Sequence, residues 1–296
     1  MNEFEEILKE QNNEKKKNMI EQRLIILNSQ AEQNKEIGVN TTHQGFISST
    51  DSLEFSSVFI MSNLDEPLPS KYTMKSQDYI YEYINYLNKN NITDINKAIL
   101  AMSPFLKKYF GVGKNGNNKN NREVAFDNMG MQLSEIRQTS EQLYQEYYNK
   151  WFDIAIFKDN SIAECTEYAA LTQNILTFMG FNSYYISGYF STKNTEEAHA
   201  FNLVQTTKEK YFLIDSANPT TIFDEKGNII AARTQSCIIS EEQFKDAISG
   251  EGFEIELNVC NYQKINGTIQ PIDKDIWKYQ TKKKIYKEEK NINNIY

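Results

Sequence analysis

Residues 161–219 constrain the fold of this chain most strongly, because a helical pattern there is followed closely by strand patterns. Apolar residues recur at helical spacing behind Cys165, and the pattern ends at Gly180, a residue type that commonly follows the last helical turn. Residues 198–205 and 211–215 alternate as expected of half-buried β-strands. The segment therefore predicts a helix that packs on neighbouring antiparallel strands.

Cys165 lies in the predicted first turn of that helix. Ser161 and Glu164 fit the S-x-x-E capping box, in which the serine caps the helix and the glutamate reaches back to it. First-turn backbone amides lack helical partners and carry partial positive charge, so a thiolate is stabilised beside them. Glu164 and Glu167 oppose this effect if their side chains point toward the sulfur. Position alone leaves two interpretations open: a reactive thiol, or a small buried apolar side chain.

His199 and Asp215 lie on the two predicted strands. If Thr206 pairs with Lys210 across a three-residue loop, the period of two along a strand puts the aspartate on the same face as the histidine. A two-residue loop would instead separate them. An aspartate beside a histidine fixes its tautomer, and a thiol nucleophile needs such a histidine as its base. The pattern predicts a triad with Cys165; the alternative is a core histidine that bonds to the aspartate for structure alone.

Short motifs in this segment resemble those of the transglutaminase-like superfamily of papain-type thiol enzymes. In chain order they are AECTEYAAL at 163–171, YISGY at 185–189, HAFN at 199–202 and LIDSANP at 213–219. The resemblance implies an α+β fold with a transglutaminase-like (papain-like) core, in which the cysteine helix packs on an antiparallel sheet. It also implies that Cys165 is the nucleophile, His199 the general base and Asp215 the residue that orients the base. Ala163 departs from the family pattern, because many members have glycine there.

These residues predict a thiol enzyme that acts on amide bonds through an acyl-enzyme intermediate. A protease or amidase is favoured over a protein cross-linking acyltransferase, because the family's activities favour hydrolysis. The alternative is a catalytically inactive transglutaminase-like module that binds a protein partner through its N-terminal helices. The backbone amide of Cys165 is one predicted oxyanion donor, and Trp151 is either a wall of the site or a core residue. The expected substrate is a protein or peptide; the oligomeric state stays open.

Composition and charge exclude several other classes of protein. The chain of 296 residues is 40 % hydrophobic and 24 % charged, as globular proteins are. A formal net charge of −8 argues against a nucleic-acid partner, and no apolar stretch is long enough to predict a membrane span. No cofactor and no metal site is expected, since zinc-ligand spacings are missing. Three cysteines and an acidic N-terminus without a leader favour a cytoplasmic location, with leaderless export as the alternative.

We predict three parts along the chain: an N-terminal helical arm and connector at 1–62, a transglutaminase-like domain at 63–262, and a polar C-terminal tail at 263–296. The arm is expected to dock loosely because its apolar face is thin. A G-x-G-x-x-G sequence at 111–116 follows a helix rather than a strand, so we interpret it as a loop. Cys237 and Cys260 are interpreted as core residues. Further predicted elements are two helices over 75–110, a long helix over 132–157, strands near 221–224, 228–233 and 253–259, a turn at 224–228, and a short helix opened by a capping box at 240–243.

Overall fold

The fold is α+β, as the sequence predicts, with helices against both faces of a large antiparallel sheet. The computed structural model describes residues 3–31, 36–37, 42–49, 52–55, 70–110, 152–160, 163, 165–193, 196–207, 209–217, 221–223, 229–234, 238–250 and 252–281. Several predictions lie outside these residues: the loop at 111–116, Trp151, Ser161, Glu164, the turn at 224–228, Cys237, and the helix over 132–151.

The helices of the described residues are α1 (Glu3–Lys9), α2 (Asn13–Gln30), α3 (Asp78–Lys89), α4 (Ile95–Phe110), α5 (Ala155–Asn160), α6 (Cys165–Phe178) and α7 (Glu241–Ser249). Helices α1 to α5 pack with α6 in one core cluster, whereas α7 packs in the apolar cluster on the opposite face of the large sheet. The pair α3 and α4 confirms the two helices predicted over 75–110. The capping box of α7 is confirmed too: the Ser240 hydroxyl accepts from the Gln243 amide at 3.0 Å, and the Gln243 side chain accepts from the Ser240 amide at 2.9 Å.

Two sheets form within the described residues. Their strands are β1 (Glu36–Ile37), β2 (Thr42–Gln44), β3 (Ser52–Phe55), β4 (Ser70–Thr73), β5 (Phe152–Asp153), β6 (Asn182–Ser191), β7 (Glu196–Thr207), β8 (Lys210–Ile214), β9 (Thr221–Phe223), β10 (Ile229–Thr234), β11 (Ile238–Ile239), β12 (Phe253–Ile265) and β13 (Thr268–Thr281). The larger, antiparallel sheet has the order β11-β8-β7-β6-β13-β12-β10-β9, and β2 also pairs with β6. The smaller sheet has the order β1-β3-β4-β5.

The large sheet curves over one of its own faces. Strands β7 and β12 are three positions apart in the sheet, which would separate them by about 14 Å in a flat sheet. The rings of Phe201 on β7 and Phe253 on β12 nevertheless lie only 6.2 Å apart. Residues of β6, β7, β8, β11, β12, β13 and α7 thus share one buried apolar cluster. The opposite face of the sheet packs against α6.

Helix α6 is buried on all sides rather than along the single face that its spacing predicts. Its polar side chains Thr172, Gln173 and Asn174 are fully buried. Asn174 donates to the Ile47 carbonyl at 2.9 Å and to the Tyr79 hydroxyl at 2.7 Å. Satisfied buried polar groups of this kind tie the helix to a unique position between the sheet and the other helices.

The prediction of a loosely docked N-terminal arm is wrong. Phe4 is fully buried and contacts the Phe178 ring edge-on, with the centroids 6.2 Å apart. The Arg23 guanidinium donates to the Phe178 carbonyl and lies over its ring. The short helix α1 supplies the apolar surface that α2 lacks. Because Phe178 ends the 14-residue helix that Cys165 begins, the arm packs about 20 Å from the cysteine.

The predicted polar tail from residue 263 is also wrong as far as residue 281. Strand β12 continues to Ile265, and β13 pairs with β12 and then with β6. Trp277 and Tyr279 point into the core, whereas lysines at alternate positions face outward. The many polar residues of this strand therefore reflect its exposed face and conceal its buried one. The missed signal is Asn266 and Gly267, an Asn-Gly pair with φ of 52° and 83° that suits a two-residue hairpin turn.

The predicted long helix does not continue through residues 152–157. Phe152 and Asp153 form β5, which pairs in parallel with β4. The Asp153 carboxylate then accepts from the Ala155 amide at 3.0 Å and from the Ser76 amide at 2.9 Å. Such local side-chain bonds compete with a continuous helix, so a new short helix begins at Ala155.

We expect Gly188→Ala to destabilise the protein, because a Cβ at this position would lie 2.4 Å from the Gln280 carbonyl oxygen of β13. Overpacking of this kind costs about 1–3 kcal/mol. Urea unfolding measures the loss in free energy of unfolding. The control is Ser191→Ala on the same strand, also paired with β13, which should change stability by less than about 0.5 kcal/mol. A Gly188→Ala variant as stable as this control would contradict the close approach of the strands.

Candidate active site

The structure brings His199 and Asp215 together in the core. The Nε2 atom of the histidine lies 2.8 Å from Oδ2 of the aspartate, and both side chains have no exposed surface. Strand β8 ends at Ile214, which pairs with Asn202, so the ladder between β7 and β8 stops before it reaches His199. Asp215 turns inward at this point, and its Oδ1 accepts from the Ala217 amide at 3.1 Å.

The strand register that brings His199 and Asp215 together differs in its origin from the one predicted: the loop between β7 and β8 is shorter, and a β-bulge compensates. Thr207 pairs with Lys210, so the loop has two residues rather than three. That loop alone would put the two side chains on opposite faces. A β-bulge between Gln205 and Thr207 inserts one extra residue, and beyond it Gln205 pairs with Tyr211. The bulge restores the predicted register, and with it the contact.

Cys165 is the first residue of α6 and is half-buried. Burial alone would lower the pKa of His199, but the Asp215 carboxylate and the Cys165 sulfur, through charge and hydrogen bonding, raise that pKa to about 10. Because Nε2 faces the aspartate, Nδ1 is the ring nitrogen left for the sulfur. The imidazole therefore stays protonated at neutral pH between a carboxylate and a sulfur. The three residues singled out in the sequence are thus coupled electrostatically: Asp215 bonds to His199, and Cys165 raises the pKa of the same imidazole.

Polar contacts fix α6 against the strand that carries the histidine. The Asn202 side chain donates to the Ala169 carbonyl at 3.0 Å and to Gln173 Oε1 at 3.2 Å. Ala169 lies one turn after Cys165, so Asn202 sets the position of the helix start relative to β7. This contact gives a physical role to the asparagine of the HAFN motif.

A second set of contacts fixes the segment that carries the aspartate. Thr172 donates through its hydroxyl to the Ser216 hydroxyl at 2.7 Å. The Ser103 hydroxyl of α4 donates to the Ser216 carbonyl at 3.2 Å. Residue 216 is thereby attached to two helices, and the orientation of its neighbour Asp215 follows from that attachment.

Tyr279 belongs to the site but was missed, because its strand was interpreted as part of a polar tail. Its hydroxyl donates to Asp215 Oδ2 at 2.7 Å, and its side chain is fully buried. The Phe190 ring lies 5.3 Å from the imidazole, and the Tyr279 ring lies 6.2 Å from it. The alternation of aromatic and polar residues around Trp277 was the signal that could have identified this strand.

The other candidate residues lie apart from this cluster. His43 is buried on β2, with Nε2 3.4 Å from the Phe46 carbonyl oxygen. It lines a pocket of about 510 Å³ that also contacts Thr177, near the opposite end of α6. Cys260 lies within β12. Within the described ranges, no three His, Cys, Asp or Glu side chains converge as a metal site requires, and no helix is long and apolar enough to cross a bilayer.

Comparison of the chain with protein-family models, curated proteins and solved structures finds no match. The comparisons therefore neither support nor oppose the resemblance to the transglutaminase-like superfamily. That resemblance stays a prediction from the motifs.

We expect the interaction of His199 with Asp215 to stabilise the fold in a pH-dependent way. The pKa of the histidine rises from 6.5 to about 10 on folding, so its stabilisation is fully present below pH 6.5 and is lost as the pH rises to about 10. Asp215→Asn should therefore cost most stability at the acidic end of this window. Urea unfolding of both proteins across the window measures the difference.

The control for charge removal is Glu242→Gln, at an exposed position in the first turn of α7. Its effect on the free energy of unfolding should be the same throughout the window. If the free energies of unfolding of wild type and Asp215→Asn likewise differ by the same amount at every pH, the raised pKa of His199 is contradicted.

Proposed function

We propose that this protein is a thiol enzyme with a transglutaminase-like core that acts on amide bonds through Cys165, His199 and Asp215. One observation carries the proposal: a sulfur at the start of a buried helix acts electrostatically on a buried imidazole, and Nε2 of that imidazole bonds to a buried carboxylate. This is the arrangement that activates a thiol nucleophile. The carboxylate holds the tautomer of the imidazole and stabilises its protonated form.

In the first step, the Cys165 thiolate attacks the carbonyl carbon of the substrate amide. A C–S bond forms, and the carbonyl electron pair moves to oxygen. The backbone amide of Cys165, at the positive end of α6, is the proposed oxyanion donor. His199 then gives its proton to the leaving nitrogen as the C–N bond breaks. An amine departs, and a thioester to Cys165 is left.

In the second step, neutral His199 accepts a proton from the incoming nucleophile as it attacks the thioester. The C–S bond breaks, the sulfur leaves as thiolate, and the imidazolium re-forms beside Asp215. Water as nucleophile makes the protein a protease or amidase, which we favour. A lysine amine makes it a protein cross-linking acyltransferase. The cluster serves both reactions, and the choice depends on which nucleophile reaches the thioester.

An inactive module that binds a partner through its N-terminal helices is less well supported. Phe4, Ile7 and Leu8 of α1 are buried in the chain's own core, and so are Ile20 and Leu24 of α2. These apolar faces are therefore already occupied, and the large apolar side chains of α2 that stay exposed are the neighbours Ile25 and Ile26.

We expect Cys165 to react with iodoacetamide at neutral pH faster than Cys237 and Cys260, by on the order of tenfold or more, because the proposed mechanism makes it the nucleophile beside a histidine. His199→Ala should slow this alkylation by about tenfold. Mass spectrometry of peptides from the full-length protein measures each cysteine separately. The matched control is His43→Ala, at the only other histidine, which should leave the rate for Cys165 unchanged. Equal, slow labelling of all three cysteines would contradict the proposal that the protein is a thiol enzyme.

The reaction type is tested with casein and a fluorescent primary amine. We expect released peptides from a protease, whereas incorporation of the amine into casein would identify a transferase. Cys165→Ala should abolish either signal, because no thioester can form without the sulfur. A signal that survives in Cys165→Ala would contradict the assigned nucleophile. Rapid alkylation of Cys165 without either product would indicate that the substrate amide is not part of a protein.

A further inference from the structure

Asp215 accepts hydrogen bonds from three parts of the chain. The Tyr279 hydroxyl of β13 donates to Oδ2 at 2.7 Å, and His199 Nε2 of β7 lies 2.8 Å from the same oxygen. The amide of Ala217 donates to Oδ1 at 3.1 Å. The phenol is therefore a second side-chain donor to the carboxylate that orients the histidine.

A carboxylate that is buried away from water stays ionised only where hydrogen bonds and charges replace its hydration. The hydroxyl of Tyr279 stabilises the charged form of Asp215 in this way. Because two donors share Oδ2, they also restrict the direction in which this oxygen faces the imidazole. Loss of the phenol would leave the anion less stable and the carboxylate freer to rotate.

The sheet holds the phenol in place. Tyr279 pairs with Phe190 on β6, and its ring lies 5.2 Å from the rings of both Phe190 and Phe201. Gly188 permits this approach of β13, because a Cβ there would collide with the Gln280 carbonyl. The position of the hydroxyl is thus set by strand pairing and by packed aromatic rings.

We propose that Tyr279 is a positioning residue for the catalytic cluster: its hydroxyl keeps Asp215 ionised and directed at His199. The hairpin of β12 and β13 is then part of the catalytic unit. This inference rests on the proposed thiol chemistry. Tyr279 acts through Asp215, to which its hydroxyl donates.

The titratable groups around the cluster come from four elements of the described chain. Cys165 and Glu167 lie on α6, His199 on β7, Tyr279 on β13 and Tyr185 on β6. Burial first, and then the charges of Cys165 and Glu167, raise the pKa of Tyr185 well above its ordinary value. This tyrosine therefore stays neutral near neutral pH, and its ionisation does not contribute to the pH dependence of Cys165 alkylation.

The test is the pH profile of alkylation of Cys165 by iodoacetamide, measured on the full-length protein by peptide mass spectrometry. Removal of a hydrogen bond to a charged group in Tyr279→Phe should lower the rate at neutral pH by about tenfold. The acid limb of the profile should also move to higher pH, because the ionised cluster is less stable. The matched control is Tyr211→Phe, which removes a tyrosine hydroxyl from the same apolar cluster and should leave the profile unchanged.

The wild-type profile tests the proposed function separately. If wild-type Cys165 reacts like an ordinary thiol, the thiol-enzyme proposal fails. If the wild-type thiol is activated and Tyr279→Phe has the same profile, only the role of Tyr279 is overturned.

A double-mutant cycle distinguishes positioning from general damage to the fold. With Asp215→Asn already present, Tyr279→Phe should change the alkylation rate little, because its effect passes through the aspartate. Additive losses would overturn the inference. If Tyr279→Phe does not fold, 3-fluorotyrosine at position 279 replaces it; this stronger donor should move the acid limb to lower pH, and an unshifted profile would again overturn the inference.

Discussion

The buried hydrogen bond between Asp215 and His199 is the interaction on which the rest of the site depends. A carboxylate in the core is tolerated only if donors surround it. Here the donors come from β7, from β13 and from the turn after β8. The sheet must therefore place three separate segments around one side chain. Its curvature and the close approach of β13 to Gly188 meet that requirement.

Helix α6 connects this pair to the sulfur and to the rest of the molecule. Asn202 ties the helix to the strand of the histidine, and Thr172 ties it to Ser216 beside the aspartate. The N-terminal helices pack near its opposite end, around Phe178. Satisfied polar contacts along a buried helix specify one position for it, as the proposed nucleophile requires.

Local patterns predicted much of this, and the failures have physical causes. Cys165, His199 and Asp215 stood out because a helix start and alternating strands are short-range features. Tyr279 was missed because only half of an antiparallel strand is buried, and the exposed lysines dominated the composition of β13. The loop before Lys210 was predicted one residue too long, yet the bulge at Gln205 gave the same register. Two local deviations cancelled, which no periodicity reveals.

The sequence by itself determined the elements and the residue types: a cysteine at the start of a helix, and a histidine and an aspartate on two neighbouring strand patterns. The tertiary structure decided that the histidine and the aspartate share one face, because that register depends on the bulge at Gln205. Only the tertiary structure decided that a C-terminal hairpin closes the site and that the N-terminal helices belong to the core. Side-chain periodicity depends on neighbours a few positions away. The pairing of β13 with β6 joins Tyr279 to Phe190, and contacts over such separations leave no local pattern.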